Sequence, residues 1–125
     1  MKREIEELEA KRVRQWYYFE LADNEFKLWL NKNNYDIFRV EYIAHFGEYA
    51  EVLIFFKTNT QLKEFKNNKI TTLIETEFIK ILKRIGYINE FNKKILIYFD
   101  SHENVIKYYN GNYGLRINDG GGGVE

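Results

Sequence analysis

The sequence predicts a single α+β domain, and three patterns carry that expectation. An apolar stripe at helical spacing opens the chain, an alternating hairpin pattern follows, and a strong amphipathic helix leads into a third apolar strand. The chain has 125 residues, near the commonest size of one domain. Ten Phe, ten Tyr and two Trp supply a dense aromatic core, while Cys and Pro are absent. Residues 1–118 are expected to form the domain, and residues 119–125, rich in glycine, a flexible tail.

The opening stripe is Ile5, Leu8, Trp16, Phe19, Phe26 and Leu30, and the early glutamates suit the positive end of a helix. Asp23-Asn24 either caps a second short helix from Glu25 to Lys32 or marks a bend. Trp16, Tyr17, Tyr18 and Phe19 cannot all face one side of a helix, so some of these rings meet a second surface. From Tyr35 to Phe46 the pattern alternates. Phe38, Val40, Tyr42, Ala44 and Phe46 share one face, and Arg39, Glu41 and His45 the other, beside Ile37 and Ile43. Gly47-Glu48 suits a two-residue type II′ turn. Counting outward from that turn sets Phe46 opposite Tyr49, Ala44 opposite Glu51, Tyr42 opposite Leu53 and Val40 opposite Phe55. Residues 49–57 are apolar on both faces and read as a central strand.

Thr58-Asn59-Thr60 reads as a helix N-cap, followed by a short helix carrying Leu62 and Phe65. From Ile70 to Ile85, the stripe Ile70, Leu73, Ile74, Phe78, Ile81, Leu82 and Ile85 predicts a long helix, which Gly86 ends. Lys94 to Phe99 predicts a third, buried strand, parallel to the second through a right-handed crossover. Asp100 with Glu103 three residues on fits a capping box, and Asn110-Gly111 closes the short helix that follows. Tyr113 to Ile117 reads as a short edge strand. No repeat of a solenoid period is visible.

Phe99 through Val105, with Tyr109-Asn110-Gly111-Asn112-Tyr113 and Arg116, resembles the C-terminal signature of a group of small uncharacterised bacterial α/β proteins. The resemblance implies the same hairpin, helix and strand order and assigns no catalytic residue. In size and style the chain is also similar to immunity proteins that neutralise bacterial toxins.

Nineteen basic and nineteen acidic residues cancel, which argues against a nucleic-acid binder, an anionic-membrane binder or a strongly acidic DNA mimic. No apolar run approaches the length of a bilayer span and the start shows no signal-peptide core, so a cytoplasmic location is expected; the lack of Cys fits a reducing compartment. Locally the charges separate. Residues 20–56 carry seven acids and three bases, and residues 57–94 nine bases and four acids. This pattern is either that of solvated outer faces or that of a two-sided molecule whose acidic side docks a basic partner.

Two candidate sites follow. Glu41, Glu48 and Glu51 on the hairpin, with Tyr108, Tyr109, Tyr113 and Arg116 near the C-terminus, have the composition of a protein-binding hot spot. Alternatively Arg39, Glu41, His45 and Glu48 form a small acid–base group for an enzyme or nucleic-acid binder. With two histidines and no cysteine, no metal or cofactor is expected. Asp36 precedes Glu51 as the carboxylates of a metal-dependent nuclease would, but Glu51-Val52-Leu53 lacks the expected lysine; phosphate loops and nucleophile elbows are also missing. Capping accounts for Asp100 and Glu103 beside His102. The expected function is therefore a non-catalytic protein-binding module of the immunity or inhibitor type, of bacterial or phage origin. Its partner would be a protein such as a basic toxin or defence enzyme, and a homodimer is open.

Overall fold

The computed structural model describes residues 1–45, 48–91 and 94–122. It is an α+β fold with a three-stranded mixed sheet. Helix α1 (Lys2–Lys32) is followed by β1 (Arg39–His45), β2 (Tyr49–Phe56), α2 (Asn59–Asn67), α3 (Ile70–Arg84) and α4 (Tyr87–Glu90). Strand β3 (Ile95–Ser101), α5 (His102–Tyr109), α6 (Tyr113–Asn118) and a 3-10 turn at Gly120–Gly122 complete it. Among the described residues no helix is long and apolar enough to cross a membrane.

The opening helix runs without a break, about 46 Å at the usual rise. Asp23 does not cap a second helix, because its carboxylate is used across the fold. It accepts the Tyr42 phenol at 2.6 Å and pairs with Lys27 one turn on at 2.6 Å. Burial first, and this carboxylate second, push the Tyr42 phenol far above its ordinary value.

The sheet order is β1-β2-β3, with β1 antiparallel and β3 parallel to β2. Central placement of β2 and the parallel β2/β3 pair agree with the sequence reading. The hairpin register does not. His45 pairs with Tyr49, Ala44 with Ala50, Tyr42 with Val52 and Val40 with Ile54, one residue away from the count based on a two-residue turn. The ladder closes with three residues between His45 and Tyr49; of the predicted turn, Gly47, and also Phe46, lie outside the described residues. Opposed residues share a face, so this register puts Val40, Tyr42 and Ala44 on the same side as Ala50, Val52, Ile54 and Phe56. Phe38 leaves that side. Its amide bonds the Phe55 carbonyl although Arg39 is the residue paired with Phe55, and two residues facing one end the alternation there.

One face of the sheet packs on α1, α3 and α4 through Phe19, Ala22, Phe26, Ile74, Phe78, Ile81, Leu82 and Tyr87. Phe19 stacks on both Tyr42 and Tyr87, and the Phe78 edge meets Phe26. The other face carries a smaller cluster, in which Leu53 and Phe55 meet Val105 and Tyr113. β3 is half-buried from Ile95 to Phe99, an edge strand where the sequence predicted a buried one.

Residues 113–118 are helical rather than an edge strand, because the Asn112 side chain accepts the Leu115 amide and starts a helix. Gly120 and Gly121 are packed where the sequence reading placed tail. The Gly120 carbonyl accepts a bond from Arg116, and Gly121 lies so close to the Tyr98 ring that an added Cβ would run into it.

Candidate functional site

The end of β3 is organised around Asp100. The capping-box expectation fails here, because Ser101 is the residue whose side chain caps α5, accepting the Asn104 amide at 3.0 Å. Asp100 is buried and pairs with the equally buried Arg116 at 2.6 Å. Its other oxygen accepts the Ser101 amide and the Asn104 side chain, both at 2.8 Å. A buried ion pair is tolerable only when the remaining donors and acceptors are met, and here they are. Glu103, the other expected capping residue, instead accepts the Asn59 amide at 2.8 Å. Asn59 also bonds Ser101 at 2.6 Å and Asn104 at 2.9 Å, tying the start of α2 to the start of α5. Five of the residues that carry the sequence resemblance, Asp100, Ser101, Glu103, Asn104 and Arg116, belong to this network.

A cleft of about 260 Å³ opens beside the network, across the outer edge of β3. Leu62 and Lys66 of α2 form one wall, Asn104 and Tyr108 of α5 the other, and Tyr98 and Phe99 the floor. The Ala50 amide donates to the Lys94 carbonyl, so alternate residues of β3 from Lys94 onward turn their backbone groups to β2. Ile95, Ile97 and Phe99 therefore turn their amides and carbonyls outward, where, among the described residues, no strand pairs with them.

The residues singled out from sequence are brought together only in part, Arg39 with Glu41 and Tyr113, and His45 with Glu51. Glu41 pairs with Arg39, whose guanidinium lies 4.0 Å over the Tyr113 ring. Tyr113 is buried, its phenol 2.8 Å from His102 Nδ1, while Phe38 stacks on the His102 ring at 4.1 Å. Burial raises the Tyr113 phenol and Arg39 partly opposes this. Tyr109 donates to Asp119 at 2.6 Å, and that carboxylate pushes its phenol up. Arg116 is part of the network above. Of the tyrosine group, Tyr108 remains well exposed, with Lys107 over its ring at 5.2 Å.

On the hairpin, Glu48 is exposed, but Glu51 is tucked against Gly120 with His45 Nε2 at 3.5 Å. His45 stacks on Tyr49 at 4.0 Å, and its Nε2 is buried with no hydrogen-bond partner among the described residues. Arg39 and Glu41 thus pair with each other, His45 lies against Tyr49 and Glu51, Glu48 is exposed, and the four do not converge on one point. Among the described residues no three His, Asp or Glu side chains are grouped to hold a metal ion.

Comparison with known proteins returned no matching family model, no matching curated protein and no matching solved structure.

Sequence reasoning missed Asn59, Asn104 and the outer edge of β3. The bond between the first two had no signal, since they lie 45 positions apart in the chain. The edge had none, because the sequence reading placed a later strand at Tyr113 to Ile117 that could have covered it, and only the structure makes that segment helical.

Proposed function

We propose that the protein is a non-catalytic protein-binding module of the inhibitor type, and that it takes an extended segment of its protein partner onto β3. One observation carries this reading: the strand Ile95–Phe99, apolar at every position, stands at the sheet edge with outward backbone groups unpaired by the sheet. Edges of this kind are normally shortened, charged or covered, because they template pairing with another chain. Strand addition satisfies the backbone groups and leaves specificity to flanking side chains. Here those are Leu62, Lys66 and Tyr108 along the cleft walls. The acidic hairpin contributes little to such a contact, since Glu41 and Glu51 are engaged within the fold.

The test is affinity capture from source cells followed by hydrogen exchange on the purified complex. The Ile97 and Phe99 amides should gain protection when the partner is bound. Ile97→Pro removes one outward donor and leaves the ladder to β2 intact, and it should lose the partner while the fold persists. Equal capture by Ile97→Pro, or a complex that protects no amide between residues 95 and 99, would refute the reading.

A further inference from the structure

A second unpartnered surface lies at the other end of the chain. Residues 1–11 are all exposed, and the first buried side chain of α1 is Gln15. Gln15, Phe19, Ala22 and Phe26 form the core face at spacings of four and three, and the same spacing carried backward reaches Arg12, Leu8 and Ile5. Ile5 is 58% exposed and Leu8 38%. The stripe that is buried in the second half of the helix therefore continues past the core with its apolar residues exposed among the described residues. A segment of this length is marginal as an isolated helix in water, so its stability depends on a covered stripe.

The flanking charges identify what covers it. With Ile5 and Arg12 at heptad a, and Leu8 and Gln15 at d, the e positions are Lys2 and Glu9 and the g positions are Glu4 and Lys11. In an antiparallel pair of copies, with Ile5 beside Leu8 of the second copy, Lys2 faces Glu9 and Glu4 faces Lys11. Two-fold symmetry repeats both contacts. In a parallel pair, Glu4 of each copy faces Glu9 of the other, and the contact is repulsive. Among the described residues, the side-chain attachments of α1 to the rest of the fold begin at Arg14, which pairs with Glu90, and Gln15, which bonds the Tyr87 phenol at 3.0 Å. A pairing centred between Ile5 and Leu8 uses residues 2–11 and stops short of both.

From this geometry we infer that the N-terminal segment of α1 pairs antiparallel with the same segment of a second copy of the chain. The interface is small, with Ile5 and Leu8 as its apolar centre, so the association is weak and depends on concentration and salt. It is independent of the β3 edge.

Sedimentation velocity of the full chain over a wide concentration range tests this. The set is wild type, Leu8→Glu, Glu4→Lys, Lys11→Glu and the Glu4→Lys/Lys11→Glu double variant. Wild type should shift from monomer to dimer, and Leu8→Glu should remain monomeric with unchanged helicity. Each single charge reversal should weaken the dimer about fivefold, and the double variant should recover it, because two opposite-charge contacts are rebuilt. A wild type that stays monomeric throughout overturns the inference. So does a Glu4→Lys variant that associates more tightly, which marks a parallel pair. A dimer insensitive to all four variants but lost in Ile97→Pro belongs to the β3 edge and overturns it equally.

Discussion

On the side of the sheet facing α1 and α3, Val52, Ile54 and Phe56 meet Phe19, Phe26, Ile74 and Phe78, and apolar packing dominates, with hydrogen bonds at the Tyr42 and Tyr87 phenols. On the side facing α5 and α6, the apolar contribution is small, and closure depends on Arg116 reaching Asp100 and the Gly120 carbonyl. The first side is a broad non-directional contact that loses stability gradually as volume is removed. The second is a directional lock, in which removing one partner strands a buried charge. The lock also holds the end of β3, so the proposed binding edge takes its shape from the smaller and more polar side.

The largest effects should fall on the lock. Arg116→Ala is expected to cost about 3–5 kcal/mol in denaturant unfolding, because Asp100 is left charged and dry. The paired replacement Asp100→Leu with Arg116→Met should cost clearly less than Arg116→Ala alone. Phe78→Ala on the other side should also cost about 3–5 kcal/mol, from transfer and cavity terms with no charge involved. If the paired replacement is no milder than Arg116→Ala, the contrast between the two sides is wrong.

A middle-sized effect is expected at Gly121. Alanine there meets the Tyr98 ring, and overpacking of this kind costs about 1–3 kcal/mol. Tyr98→Leu should relieve most of that cost in the double variant. Full retention of stability in Gly121→Ala would mean that the glycine turn does not pack on the sheet in solution.

The smallest effect sharpens the comparison through pH. Burial raises the Tyr42 phenol on the α1 side and the Tyr113 phenol on the α5/α6 side. Each folded-state group keeps a proton that the unfolded chain gives up above about pH 10. Their contribution is complete below that pH and falls as pH rises beyond it. Tyr42→Phe should flatten part of the alkaline loss of stability, and Tyr113 should account for a remainder. An unchanged slope in Tyr42→Phe would show that its phenol is not held protonated by the fold.

Much of the fold was legible in the sequence because periodicity is local. The stripe Ile74, Phe78, Ile81 and Leu82 turns to the core as its spacing requires, Thr58 caps α2, and Gly86 adopts the left-handed conformation that ends α3. The hairpin was recognised but slipped by one residue, since register depends on loop length and the residue pattern at its tip admits two lengths. The candidate contact residues fared differently. Composition identifies Tyr113 and Arg116 as the kinds of residue found at interfaces, yet the same large side chains build cores, and both are buried.

By itself the sequence determined the α+β class, the identity of most elements and the central place of β2, because each follows from residues within a turn or two of one another. Only the tertiary structure decided that Asp100 pairs with Arg116 rather than capping α5, that β3 lies at an edge, and that α1 carries its core stripe beyond the domain. Those outcomes depend on which distant surfaces meet and which are left without a neighbour, and a local pattern contains no term for either.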